Sequence, residues 1–226
     1  MDIKKNVETV TDEIQKACER SGREFSEVTV IAVTKYVSIE RAQEAVNAGI
    51  IHLGENRSEG LQEKYNCIGA KAKWHFIGSL QSRKVKNVID TITTIHSLDR
   101  LSLAKEIHKR AKQKISCFVQ VNVSGEESKH GLSPDEVLSF IERLSDYDNI
   151  VVEGLMTMAP HSEDEERLRT TFRKLRELKE EVEQKNWAHA PCHGLSMGMS
   201  NDFQIAIEEG ATHVRIGSKL VGREDQ

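Results

Sequence analysis

Nothing in this chain of 226 residues approaches the run of roughly 18 apolar residues that a membrane-spanning helix needs. Met1-Asp2-Ile3-Lys4-Lys5 opens onto no apolar segment either, so no signal peptide is expected. Excess basic charge is missing, and a formal net charge of −4 gives no electrostatic footprint for nucleic acid. Cysteine is scarce and scattered. Cys18, Cys67, Cys117 and Cys192 form no C-x-x-C pair, which points to reduced thiols in a cytoplasmic protein. H-E-x-x-H is lacking, and no metal cluster is expected. No G-x-G-x-x-G follows the first strand, which removes the commonest dinucleotide-binding version of an open doubly wound sheet.

What is present is a soluble globular profile, 38% hydrophobic and 30% charged. The chain is organised around Val28-Thr29-Val30-Ile31-Ala32-Val33-Thr34-Lys35, an apolar run that ends in a lysine. So short a run reads as a strand buried on both faces of a parallel sheet. Strands are expected at 28–33, 50–53, 73–77, 91–96, 116–123, 150–155, 192–195 and 213–216. Helices are expected between them at about 39–48, 57–65, 81–88, 99–112, 133–144, 162–185 and 200–210. Ser38, Asp99 and Ser200 are the expected N-caps, and Ser133-Pro134-Asp135-Glu136 and Ser162-Glu163-Asp164-Glu165 read as capping boxes. Strict alternation implies a parallel sheet, and eight strands in this length imply a single (β/α)8 TIM-type barrel of class α/β. A further amphipathic helix over residues 3–20 stops at Ser21-Gly22 and could cover the bottom of that barrel. The whole of 1–226 is expected to be one domain, with 1–22 as an extra N-terminal helix. Ala45-x-x-x-Gly49-x-x-His52-Leu53 and Ala206-x-x-x-Gly210-x-x-His213-Val214 form a faint internal repeat that suits a barrel of like units.

Lys35 falls at the C-terminal end of the first strand, the edge where such barrels build their sites. On the fifth strand the alternation Gln120, Asn122 against Val119, Val121 and Val123 points two amides inward. Gly194-Leu195-Ser196-Met197-Gly198-Met199-Ser200 and Arg215-Ile216-Gly217-Ser218 follow or end the seventh and eighth strands, where this barrel usually holds phosphate. A lysine opposite a phosphate cradle points to an aldehyde that carries a phosphate. The residues leave two candidates open: pyridoxal phosphate as a resident cofactor, or a sugar phosphate in a Schiff-base aldolase.

Eight motifs resolve that choice by resemblance. They are A-V-T-K at 32–35, H-L-G-E-N at 52–56, W-H-F-I-G-S-L-Q at 74–81, Q-V-N at 120–122, K-H-G at 129–131, G-L-M-T-M at 154–158, L-S-M-G-M-S at 195–200 and R-I-G-S at 215–218. Together they span nearly the whole chain, and it closely resembles the pyridoxal phosphate homeostasis protein family. One departure is visible: Arg83 precedes Lys84 where the family usually has asparagine in L-Q-x-N-K.

The resemblance implies a PLP-binding barrel (fold type III) like the N-terminal domain of alanine racemase, with pyridoxal 5'-phosphate held as a covalent imine on Lys35. It further implies that Ser200, Gly217 and Ser218, with Ser196 less firmly, hold the phosphate. Arg215 would lie near the pyridine nitrogen, and Asn56, His75 and Met156 would line the pocket. An arginine there is donor-only and disfavours a protonated pyridinium, which makes a weaker electron sink than an aspartate partner would. The chain runs only ten residues past the eighth strand, so no second domain with a second base is expected. Tyr36 should face away from Lys35 by strand parity, which makes it a poor substitute base. The implied function is PLP (vitamin B6) homeostasis and amino-acid balance with little or no turnover. PLP-dependent apo-enzymes are candidate recipients, and a monomer is expected. The alternatives are a PLP-dependent racemase or lyase of small amino acids, and a scaffold that presents its long charged helix to partners.

Overall fold

The computed structural model describes residues 2–126, 130–160 and 162–224; Lys129 of the K-H-G motif lies outside them. Eight parallel strands close in sequence order, with β1 hydrogen-bonded to both β2 and β8. The strands are β1 (Thr29–Val33), β2 (His52–Glu55), β3 (Lys73–Phe76), β4 (Thr94–Leu98), β5 (Ile115–Gln120), β6 (Ile150–Met156), β7 (Gly194–Met199) and β8 (His213–Ile216). Around them run α1 (Ile3–Ser21), α2 (Ile39–Asn47), α3 (Ser58–Ile68), α4 (Leu101–Arg110), α5 (Val137–Arg143), α6 (Glu165–Glu183) and α7 (Phe203–Glu208). The α/β barrel fold and the eight-strand order therefore stand as read from the alternation.

Several boundaries move, each for a local reason. β2 starts two residues late, because Ile50 N closes the preceding turn onto Ala45 O and Ile51 is exposed. β4 starts at Thr94 because Thr91 and Ile92 are still wound onto Val88 O. The segment 82–87 is a 3-10 helix. Asp99 does not cap α4. Its carboxylate is taken by Arg100, the residue at the cap position. Asp164, not Ser162, caps α6, accepting from Glu166 N and Arg167 N. Asp202 takes the cap position that Ser200 was expected to fill, and its carboxylate accepts from Met199 N.

α1 does not lie under the barrel. Its apolar stripe (Ile3, Val10, Ile14, Ala17) is buried on the flank beside α7. Polar contacts hold it there: Asn6 donates to Leu220 O, Arg20 pairs with Glu208, and Gln204 donates to Glu13. The internal repeat is real at the level of geometry. Gly49 and Gly210 both have positive φ, 97° and 104°, and each closes a helix end before the first residue of its strand, His52 or His213.

The barrel lumen is lopsided. β6 and β7 face it with Gly154 and Gly194, and a Cβ on Gly194 would stand 2.8 Å from Phe118 Cε1. That room is taken by Phe118 and by the rings of His96 and His213 packed on it, with centroids 4.6 and 4.9 Å away.

Candidate functional site

Lys35 sits in the turn just past β1 and is partly buried. Three tethers hold that turn. Thr34 N donates to Gly54 O at 3.0 Å. Thr34 Oγ1 donates to Glu55 Oε1 at 2.6 Å, and Lys64 Nζ reaches both Thr34 O, at 3.0 Å, and Glu55 Oε1, at 2.9 Å. Glu55 and Lys64 are both buried, so this ion pair is a structural anchor for the residue before Lys35. From the other side, Glu224 N donates to Tyr36 O, and the Glu224 carboxylate accepts from Ser38 N.

Tyr36 is not turned away from Lys35. β1 ends at Val33, so strand alternation does not extend to the turn, and Lys35 Nζ lies 4.7 Å from the centre of the Tyr36 ring. The Arg223 guanidinium lies 6.0 Å from that ring. Tyr65 and Tyr147 pack elsewhere, against Trp74 and His108.

Next to β1, the segment after β8 forms a tight turn. Leu220 N and Val221 N donate to Gly217 O, and Gly222 N donates to Ser218 O. Amides at the start of such a turn have no acceptor within it, as at a helix N-terminus. Ser200 Oγ accepts from Gly217 N at 3.1 Å, joining the loop after β7 to this turn. A Cβ on Gly217 would lie 3.5 Å from Val33 Cβ, so the turn rests directly on the strand that carries Lys35. Ser218 is exposed, and Lys219 is drawn outward to Glu13 and the Phe203 ring.

Arg215 is buried inside the barrel. Its Nη1 donates to Ser196 Oγ at 2.6 Å and its Nη2 to Thr157 O at 2.9 Å. Burial pulls its pKa down to about 10, opposed by the charge of Asp202, so it is still a cation at neutral pH. Ser196 Oγ also meets His96 Nδ1 at 2.8 Å, and His96 Nε2 meets His75 Nδ1 at 2.9 Å. Burial holds His75 and His96 well below the ordinary histidine range, with neighbouring imidazoles and Arg215 adding to it for His96. Met156 is buried at the end of β6, in register with Ser196 and Gln120. Gln120 is buried and donates to His130 O, and Asn122 donates to Glu126 O beyond the strand.

Asn56 lies just past β2, partly buried, in a cavity of about 150 Å³ shared with Ser58, Ser79, Gln81 and Lys84. Gly78 is needed there, because any Cβ would stand 2.6 Å from Asn56 O. Arg83 donates to Gln81 and Lys84 pairs with Glu59, so the departure at Arg83 belongs to this neighbouring cavity.

The structure thus gathers Ser200, Gly217 and Ser218 in one corner beside the Lys35 turn, and His75, Ser196 and Arg215 in one hydrogen-bonded chain below it. Sequence reasoning did not single out His96, Thr157 or the Glu55–Lys64 pair. Parity from Thr94 would have turned His96 inward, and Lys64 shares a buried stripe of α3 with Leu61 and Ile68, a signal for a partnered lysine. His189 and His193 stand four apart before β7 but diverge, to Ile141 O and Glu183. Among the described residues no cluster is placed to hold a metal ion, and no helix is long and apolar enough to cross a membrane.

A closed parallel barrel with a lysine past the first strand and an arginine on the last defines a class, and the family model described as alanine racemase, N-terminal domain, matches residues 6–225. Within that class the chain belongs to the pyridoxal phosphate homeostasis protein family. It is 46% identical over 217 residues to the pyridoxal phosphate homeostasis protein of Aquifex aeolicus, covering 94% of each chain. The structure of PipY from Synechococcus elongatus with PLP bound matches with a TM-score of 0.84 at 28% identity, covering 97% of this chain and 100% of that one. Alanine racemase from Clostridium difficile shares the fold, with a TM-score of 0.74 at 15% identity, and all of this chain matches 57% of it.

Proposed function

We propose that this chain binds pyridoxal 5'-phosphate through Lys35 and serves intracellular PLP balance, with little or no turnover. The observation that carries the reading is the contact between two elements: the Gly217 turn, bonded to Ser200, lies against the end of β1 beside Lys35. The donor set fits the group. Ser200, Ser218 and the first amides of the turn suit a phosphate, the Lys35 amine suits an aldehyde, and buried Arg215 offers a donor to the ring nitrogen. PipY, seen with PLP bound, and the shared family support the same assignment. Asn56 and Met156 line the pocket, while Ser196 and His75 act through Arg215 from below.

When bound, the cofactor supplies a reactive aldehyde and an electron sink. The chain's own residues orient it and keep it reachable. Arg215, already committed to Ser196 Oγ and Thr157 O, stays a donor and does not supply a proton at neutral pH. The Tyr36 ring lies beside Lys35 but is exposed. A donor-only arginine favours holding over turnover. The chain acts in the cytoplasm as a one-domain monomer, with PLP-dependent apo-enzymes as recipients. Borohydride trapping of the loaded chain followed by peptide mapping tests the central point: the reduced adduct falls on Lys35, and an adduct on another lysine overturns the reading. Solvent-deuterium exchange at Cα over an amino-acid panel tests the non-enzyme part, because robust exchange lost in Lys35→Ala would establish a racemase or lyase.

A further inference from the structure

Lys35 owes its place to the residue before it. Thr34 is fully buried and opens a turn in which Val37 N donates to Thr34 O at 3.2 Å, so Lys35 is the first of the two corner residues. A carbonyl oxygen has two lone pairs. The second one on Thr34 O is taken by Lys64 Nζ at 3.0 Å. The Thr34 hydroxyl donates to Glu55 Oε1 at 2.6 Å, and the same oxygen accepts from Lys64 Nζ at 2.9 Å. Thr34 N donates to Gly54 O. Every polar group of Thr34 is therefore engaged.

The partners come from regular elements. Glu55 ends β2, and its own carbonyl accepts from Ile77 N at 2.9 Å, just past β3. Gly60 and Lys64 stand one turn apart on α3 and both lie against the Glu55 carboxylate; a Cβ on Gly60 would stand 3.3 Å from Glu55 Oε2.

We propose that Thr34, Glu55 and Lys64 form a positioning lock for Lys35: by fixing the carbonyl and the hydroxyl of Thr34 they hold the turn in a shape that presents the lysine amine to an incoming aldehyde. This rests on Lys35 being the residue that takes pyridoxal phosphate. A buried ion pair is a poor way merely to stabilise a fold, because stripping water from both charges offsets much of their attraction. What it supplies beyond apolar packing is direction, through hydrogen bonds set at fixed angles. Here those bonds converge on one residue, and the next residue carries the amine. Thr34 is β-branched, so its side chain has little rotameric freedom with which to release the carboxylate. In the capture itself the Lys35 nitrogen bonds to the aldehyde carbon and the aldehyde oxygen leaves as water, with no further reactant. The three locking residues act through the turn, apart from the Ser200–Gly217 corner that suits the phosphate.

The test compares Thr34→Val, which keeps the shape of the side chain but loses its hydroxyl, with Thr34→Ser, which keeps the hydroxyl. Each chain is mixed with pyridoxal phosphate over a range of concentrations, and adduct formation per folded molecule is followed by absorbance. Misalignment of a reacting group is costly, so Thr34→Val should lower the limiting rate about tenfold or more at an unchanged half-saturating concentration, while Thr34→Ser should keep the rate within about twofold. A role in stability alone would lower the unfolding midpoint without moving the limiting rate. The second measurement uses chains without cofactor and reads backbone 15N order parameters at Lys35 and Tyr36. They should be about 0.85 in the parent and in Thr34→Ser, and fall towards about 0.6 in Thr34→Val. A limiting rate in Thr34→Val equal to the parent's overturns the proposal. So do unchanged order parameters, or a Thr34→Ser chain as slow as Thr34→Val. A parent chain whose adduct lies on another lysine refutes the cofactor reading instead, and the lock is then judged on the order parameters alone.

Discussion

Lys64 Nζ, on α3, donates to the carbonyl oxygen of Thr34, 30 residues earlier, and so ties an outer helix to the residue that precedes Lys35. The same ammonium pairs with Glu55, itself almost wholly buried. Lys64→Met leaves the Glu55 carboxylate buried without its cation, which should cost about 3–5 kcal/mol. Glu55→Gln should cost a comparable amount, and the double variant much less than the sum. Urea denaturation of the three variants measures this. Additive losses would mean that the pair is not an energetic unit.

Lys35 contributes little to the barrel itself. Lys35→Ala should unfold within about 0.5 kcal/mol of the parent, as a partly exposed side chain outside the core does, yet lose the borohydride-trapped adduct entirely. Ser200→Ala removes the acceptor of Gly217 N and one phosphate donor. Its expected cost is about 1–2 kcal/mol in affinity for pyridoxal phosphate, roughly tenfold or more, by equilibrium titration.

Acid should weaken the fold through its buried rings. Burial lowers His213 to about 4 from the usual 6.5 and holds His75 and His96 well below it. As pH falls below 6.5 the unfolded chain takes up protons that the folded chain refuses. Stability is therefore full above that value and is lost towards pH 4, by about 1 kcal/mol per pH unit for each ring. Urea midpoints at pH 7.5, 6 and 5 would show the slope, and His213→Gln should reduce it by one ring's share. A midpoint that rises on acidification would contradict the burial of these histidines.

The glycines facing the lumen differ in what they tolerate. A Cβ at Gly154 would meet Gly194 O at 1.9 Å, backbone against backbone, whereas one at Gly194 first meets the Phe118 ring. Gly154→Ala should abolish soluble expression or cost several kcal/mol, and Gly194→Ala should be milder because a side chain can shift. Thermal unfolding of the two variants ranks them.

Much of this was legible in the residues because burial on two faces leaves a plain mark. Val30–Val33 and Cys117–Val119 are apolar whichever face they show, and each lies within a strand. The boundaries that moved are those where a side chain had two uses. Asp99 binds Arg100 instead of a helix end, and Ser200 reaches across to Gly217 instead of capping α7. Short-range spacing cannot register a partner 17 residues away, still less His96 meeting Ser196 across 100 residues. Tyr36 was misplaced for a simpler reason: parity was carried beyond the end of its strand.

β1 pairs with β8, and the turn bearing Lys35 is clasped by Glu224. During synthesis the lysine leaves the ribosome early, but its neighbours in the fold are made last. Chains grow at about 5–20 residues per second, so roughly ten seconds or more separate the two ends. A nascent chain thus carries the Lys35 amine exposed and unassembled. The seat proposed for the cofactor exists only once β8 has closed the barrel against β1.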